Sequence, residues 1–138
     1  MKGALIGCGF FAINQLHAWR DIDGVEIVAI CDRDEGRLGV AGDQFGISRR
    51  YTDANEMFAD GGFDFVKSAT TAPSHRPLVE AAARAGVHII CQKPFAENMA
   101  DARAMVEAAE AAGKVLMVHE NFRWQSAVRT AIDALREG

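Results

Sequence analysis

An apolar opening, Gly3 to Ile6, runs straight into Gly7-Cys8-Gly9-Phe10-Phe11-Ala12, and a second apolar run, Val25 to Cys31, ends on Asp32. Between them Phe11, Leu16 and Trp19 recur at helical spacing. Few folds accommodate that order of events. Gly7 allows a sharp turn out of a strand, and Gly9 leaves the N-terminus of the following helix open to a diphosphate. Ala12 stands at a third position that asks only for close packing of helix on strand. Asp32 lies 20 residues beyond Ala12, near the spacing of about 20 at which a carboxylate receives the hydroxyls of an adenosine ribose. In a chain with 13 glycines a Gly-x-Gly-x-x-Ala string alone would read as a tight turn. Strand, turn, helix and acid in succession read as a dinucleotide site.

Strand-like and helix-like segments alternate along the rest of the chain, which favours a parallel sheet covered on both faces. A helix is expected over Glu35 to Phe45, stopping near Gly46, then a short extended piece from Arg49 to Tyr51 and a helix capped by Thr52. Phe63 to Thr70 reads as a fourth strand, and Pro73 or Ser74 opens a helix running toward Gly86. Val87 to Cys91, a helix from Asn98 to Gly113, and Val115 to Val118 complete six strands. The tail from Asn121 is helical, with Val128, Ile132 and Leu135 on one face. The expected fold class is α/β, a doubly wound, mostly parallel six-stranded sheet in the order 3-2-1-4-5-6. Residues 1–120 form the nucleotide-binding unit and residues 121–138 a C-terminal helix. The glycine loop, Asp32, Thr70 to His75, and Cys91 to Pro94 then share one edge of the sheet, where such folds bind ligands.

Lys67 and Ser68 break the apolar pattern of the fourth strand, where an unpaired ammonium is costly. Either Lys67 lies close enough to the strand end to snorkel out or the strand is locally irregular, and snorkelling is the preferred of the two.

Composition excludes several classes. Net charge is −4, and Arg123, Arg129 and Arg136 are spread out, so no basic face for nucleic acid is formed. No apolar run approaches the ~20 residues of a membrane helix, and the first strand begins right after Met1, so a cytoplasmic setting is expected. Cys8, Cys31 and Cys91 show no metal-ligand spacing and read as buried small hydrophobes. His17, His88 and His119 have no ligand partners at suitable spacing and read as packing or surface residues, so no metal is expected.

At Cys91-Gln92-Lys93-Pro94 the chain resembles a known family. With Thr70-Thr71-Ala72-Pro73-Ser74-His75, Ala85-Gly86-Val87-His88 and Glu120-Asn121-Phe122-Arg123-Trp124, it is similar to the nucleotide-binding half of the Gfo/Idh/MocA oxidoreductases (glucose-fructose oxidoreductase and inositol dehydrogenase). The resemblance implies hydride transfer between a nicotinamide cofactor and a sugar, polyol or related CH–OH substrate. It implies that Lys93 projects into the active site before a commonly cis proline, and that Thr70, Thr71, Pro73, His75 and Gln92 lie near the cofactor. Gln92 replaces the family's usual glutamate, which removes a charge and leaves hydrogen bonding intact. Asp32 favours NAD over NADP, since a carboxylate repels a 2′-phosphate. Arg33, able to stack on adenine or reach a phosphate, keeps NADP as a second candidate. Phe10 and Phe11 complete the cofactor set through the first turn of the helix.

The family's second domain, which carries other catalytic groups, is expected beyond Gly138, so the chain alone is expected to bind cofactor without turning over. The competing reading is a non-catalytic nucleotide-sensing or oligomerisation module, with Phe122 and Trp124 as an exposed apolar patch and a homo-oligomer as its product.

Overall fold

The computed structural model describes residues 1–137, apart from the side chain of Arg123; Gly138 lies outside the described residues. Six parallel strands, β1 (Lys2–Ile6), β2 (Glu26–Cys31), β3 (Arg49–Tyr51), β4 (Phe65–Ser68), β5 (His88–Gln92) and β6 (Leu116–His119), make one sheet in the order β3-β2-β1-β4-β5-β6. The helices are α1 (Phe10–Arg20), α2 (Glu35–Phe45), α3 (Ala54–Asp60), α4 (Ala72–Arg84), α5 (Met99–Ala111) and α6 (Ser126–Glu137). The expected doubly wound order is the observed one.

Side chains alternate across each strand, so the sheet feeds two cores. On one face Ala4, Ile6, Val66, Ile89 and Cys91 meet Met57 of α3, Val79 and Ala82 of α4, and Met105 and Ala109 of α5. On the other, Leu5 and Ile30 meet Ala12 and Leu16 of α1 and Leu38 and Ala41 of α2. Strand order reverses between β1 and β4, and the crevice outside their C-terminal ends is where ligands bind in such sheets.

Several boundaries differ from expectation for local reasons. Asp53, not Thr52, caps α3, its carboxylate accepting the amide of Asn55. Thr71 is the N-cap of α4, which begins at Ala72, while the Ser74 hydroxyl donates to the Thr70 hydroxyl and is 2.8 Å from the Thr71 carbonyl. Phe11 is 44% exposed and packs on neither core; Ala12, Gln15 and Leu16 form the buried stripe of α1. No residue of α6 is fully buried, and Leu135 on its expected apolar face is 83% exposed.

Lys67 overturns its expectation most clearly. Its side chain is fully buried, and its Nζ meets no hydrogen-bond acceptor. Snorkelling fails because Lys67 pairs in register with Leu5 of β1 and Ile90 of β5, in the middle of the sheet, with α1 across its face.

Candidate functional site

The site begins where β1 ends. Gly7 takes φ +93°, and a Cβ there would lie 2.8 Å from the Ala69 carbonyl oxygen, so the close passage between the ends of β1 and β4 needs a glycine. Its amide donates to the Cys31 carbonyl at 2.8 Å, tying the turn to the end of β2. Gly9 is the N-cap of α1 and has no side chain to cap it. The amides of Ala12 and Ile13 reach back to the Gly9 carbonyl, which leaves those of Phe10 and Phe11 without an intrahelical acceptor. A Cβ on Gly9 would meet nothing within 4 Å, so a clear approach stands before two donors and the positive end of a helix dipole.

Asp32 sits just past β2, half-buried. Its Oδ2 accepts the Cys8 amide at 2.6 Å and its Oδ1 the Asp34 amide at 2.9 Å. The carboxylate is therefore aimed by the glycine loop itself, and each oxygen keeps a second lone pair for a hydroxyl donor. Arg33 beside it is exposed. Phe10 and Phe11 are exposed at the loop's outer side.

Across the crevice, Ser68 Oγ and Thr70 Oγ1 are 2.9 Å apart, and Ser74 Oγ meets the same Thr70 oxygen at 2.8 Å. Thr71 and Pro73 are exposed at the start of α4. His75 is fully buried, with Nε2 3.1 Å from the Thr70 carbonyl and Nδ1 3.0 Å from the Phe95 carbonyl. It reaches the crevice only through the two loops it joins, the one after β4 and the one after β5.

Beyond β5, Gln92 is 9% exposed and its Oε1 accepts the Lys93 amide at 3.1 Å. The Lys93-Pro94 bond is cis, as the resemblance implies. Lys93 is half-buried, and its Nζ lies 5.0 Å from the centre of the Phe122 ring, a cation–π distance. Phe122 sits in a short 3₁₀ turn, Phe122–Trp124, and is 57% exposed.

Beneath α1 lies a polar group the sequence reading did not assemble. Gln15 Nε2 and His119 Nδ1 are 3.4 Å apart. Gln15 Oε1 and Lys67 Nζ are buried with no hydrogen-bond partner in the chain. Burial pulls the Lys67 amine down to about 8, and burial together with the Lys67 charge lowers His119. The available signal was a lysine in a strand that pairs on both sides, together with a glutamine on the buried stripe of α1.

The thiols behave as expected of buried hydrophobes. Burial pushes Cys8 up to about 12 and Cys31 and Cys91 up to about 11, with the Asp32 carboxylate adding to the first two. Among the described residues no cluster of three metal-ligating side chains occurs, and no helix is long and apolar enough to cross a membrane.

The residues present fit a dinucleotide on structural grounds: an open helix N-terminus behind a glycine whose Cβ position is clear, and a carboxylate held beside it.

Comparison with known proteins agrees. Residues 1–120 match a family model described as an oxidoreductase family with an NAD-binding Rossmann fold. The chain is 66% identical over 137 residues to a D-apiose dehydrogenase from Paraburkholderia graminis, covering 99% of this chain and 36% of that protein. It is 62% identical over 138 residues to a D-apiose dehydrogenase from Rhizobium rhizogenes, covering all of this chain and 40% of that one. A crystal structure of an oxidoreductase from Agrobacterium radiobacter, in complex with NAD+, L-tartaric acid and magnesium, superposes with a TM-score of 0.98. It shares 62% identity over the whole of this chain and 40% of its own. The chain thus spans well under half the length of these relatives.

Proposed function

The chain belongs to the Gfo/Idh/MocA family of oxidoreductases, and on that premise we propose that it is the NAD-binding part of an enzyme that oxidises an aldose of the D-apiose type. The observation that carries the cofactor assignment is the Asp32 carboxylate, held by the Cys8 and Asp34 amides beside an uncapped helix N-terminus. The sugar assignment rests on two relatives named as D-apiose dehydrogenases at 66% and 62% identity.

NAD, when bound, supplies the acceptor for a hydride taken from a CH–OH carbon. The chain's residues do the rest of the local work. Amides of Phe10 and Phe11 and the dipole of α1 receive the diphosphate. Asp32 accepts ribose hydroxyls and repels a 2′-phosphate. Gln92 offers a neutral amide near the strand end, with its oxygen already turned to the Lys93 amide. Thr70, Thr71 and Pro73 line the opposite wall of the crevice, and His75 holds that wall against the Phe95 loop. Lys93 presents its ammonium to the substrate oxygen, orienting it and stabilising negative charge on it. Phe122, at cation–π distance, restrains where that ammonium points.

Titration of the chain with NADH and NADPH, followed by calorimetry, tests the assignment. NADH is expected to bind at least about tenfold more tightly than NADPH, and Asp32→Asn to narrow the gap by on the order of tenfold, the value of about 1.4 kcal/mol of lost repulsion. Equal or tighter binding of NADPH to the unmodified chain would refute the role given to Asp32. Turnover of D-apiose by the protein joined to the remaining length its relatives possess tests the substrate.

A further inference from the structure

We propose that Lys67 sets the preference of this site between the two redox forms of its dinucleotide, its buried ammonium favouring the reduced form over the oxidised one. The inference rests on the dinucleotide reading above and deepens it.

Three observations carry it. First, no group among the described residues of this chain compensates the charge. Lys67 Nζ has no hydrogen-bond partner, its side chain is wholly buried, and no carboxylate stands among the groups that act on it. The groups around it are Leu5 of β1 and Ile90 of β5 in register, Gln92 on the same face of β5, His119 of β6, α1 through Gln15, and Cys91 on the opposite face of β5. Of these only Cys91 and His119 titrate. Burial keeps the thiol protonated and favours the neutral imidazole, so neither supplies a negative charge near neutrality.

Second, the charge lies close beneath the crevice. Lys67 is on β4, the strand at which the sheet order switches, two residues before Ala69, whose amide bonds to the last residue of β1. Its charge acts on His119, the last residue of β6, which contacts Gln15. Gln15 is four residues along α1 from Phe11, about 6 Å down the helix axis from the amides that face the diphosphate.

Third, the two forms of the ligand differ in charge and in little else. Both carry the diphosphate, and the oxidised form adds a pyridinium cation that the reduced form lacks. An unpaired cation within the low-dielectric sheet attracts the more negative ligand more strongly. A difference of about 1.4 kcal/mol in that attraction is on the order of tenfold in affinity.

The preference must also follow protonation of Lys67. Below the point where the amine titrates, near 8, the ammonium is present and the reduced form is favoured. Above it the amine is neutral and the preference fades. Reciprocally, the reduced dinucleotide holds the proton on Lys67 more firmly than the oxidised one does.

The experiment is calorimetric titration of the 138-residue chain with NAD+ and NADH separately, from about pH 7 to about pH 9.5, repeated with Lys67→Met and Lys67→Gln. The ratio of the NAD+ to the NADH dissociation constant is expected to fall by on the order of tenfold across that range in the unmodified chain. In both variants the ratio is expected to stay low and level. A level ratio in the unmodified chain overturns the proposal, and that measurement needs no variant to fold. An equal slope in either variant also overturns it, by assigning the dependence to another group. If neither form binds the folded chain, the dinucleotide reading itself falls and takes this inference with it; if both bind with a pH-independent ratio, only this inference falls.

Discussion

Replacing Lys67 by methionine should make the protein more stable, and the gain should vanish in alkali. The ammonium pays for burial without a partner: its titration point drops from 10.5 to about 8. At about 1.4 kcal/mol per tenfold change in proton affinity, the cost of keeping the proton in the folded state is about 3 kcal/mol at neutral pH. Methionine has a stem of similar length and no charge, so Lys67→Met removes that cost and adds at most about 1 kcal/mol of repacking strain. The sign follows from proton counting. Between about pH 8 and pH 10.5 the unfolded chain holds a proton on Lys67 that the folded chain has released, so the unmodified protein gains stability as pH rises through that window. The variant has no such group and gains nothing. Urea denaturation followed by circular dichroism should therefore show Lys67→Met ahead by roughly 2–3 kcal/mol at about pH 7, level with the unmodified chain by about pH 10.5, and melting about 10 °C higher at neutral pH. A variant less stable than the parent at neutral pH, or an advantage that is the same at both pH values, would refute the account of Lys67 as an unpaired buried cation.

The glycine loop and the thiols give two further expectations. Gly7→Ala forces a Cβ to 2.8 Å from the Ala69 carbonyl at φ +93° and should cost roughly 1–3 kcal/mol in thermal or urea melts, whereas Gly9→Ala, with open space and φ −71°, should leave stability within about 0.5 kcal/mol while weakening NADH at least about tenfold. Equal stability losses in the two variants would contradict the division of labour between these glycines. Cys8, Cys31 and Cys91, with titration points pushed up to about 11–12, should resist alkylation by iodoacetamide at about pH 8 in the folded chain and react once urea unfolds it; prompt labelling of the native protein, read by mass spectrometry, would count against their burial.

The fold was legible because its determinants are local and repeated. Each apolar run between glycine or polar breaks is short enough for one strand, and the helices between carry their own stops, as at Gly46 with φ 68° and Gly113 with φ 63°. Parallel strands separated by helices leave few orders to choose from. The boundaries that moved did so where side chains settle the matter in three dimensions. Asp53 took the cap expected of Thr52 because its carboxylate reaches the Asn55 amide. The fourth strand contracted to Phe65–Ser68 as the Asp64 carboxylate bonds the Lys2 amide at one end and the Ser68 and Thr70 hydroxyls pair at the other. Phe11 fitted the helical period yet stands at the first turn of α1, where the chain leaves the sheet and has nothing to pack against.

The crevice was legible for a different reason: glycines and an acid at fixed spacing state a geometry directly, and the structure supplies the amides that spacing requires. Nothing in the spacing tells how a side chain resolves a conflict between its chemistry and its register, and Lys67 is such a case. A strand places residues 90 and 92 of β5 on the same face as residue 67 of β4, because register pairs Lys67 with Ile90 and the pleat alternates. Position 90, directly paired, holds an isoleucine, and position 92, one step further on the same face, holds the neutral Gln92, whose oxygen is turned to the Lys93 amide. The chain thus combines a cation inside the sheet with the absence of an acid where the family it resembles ordinarily has one. Each feature alone would read as a loss, one of stability and one of charge. Together they leave a net positive charge below a crevice that receives an anion, which is the arrangement that makes the redox state of the cofactor matter to binding.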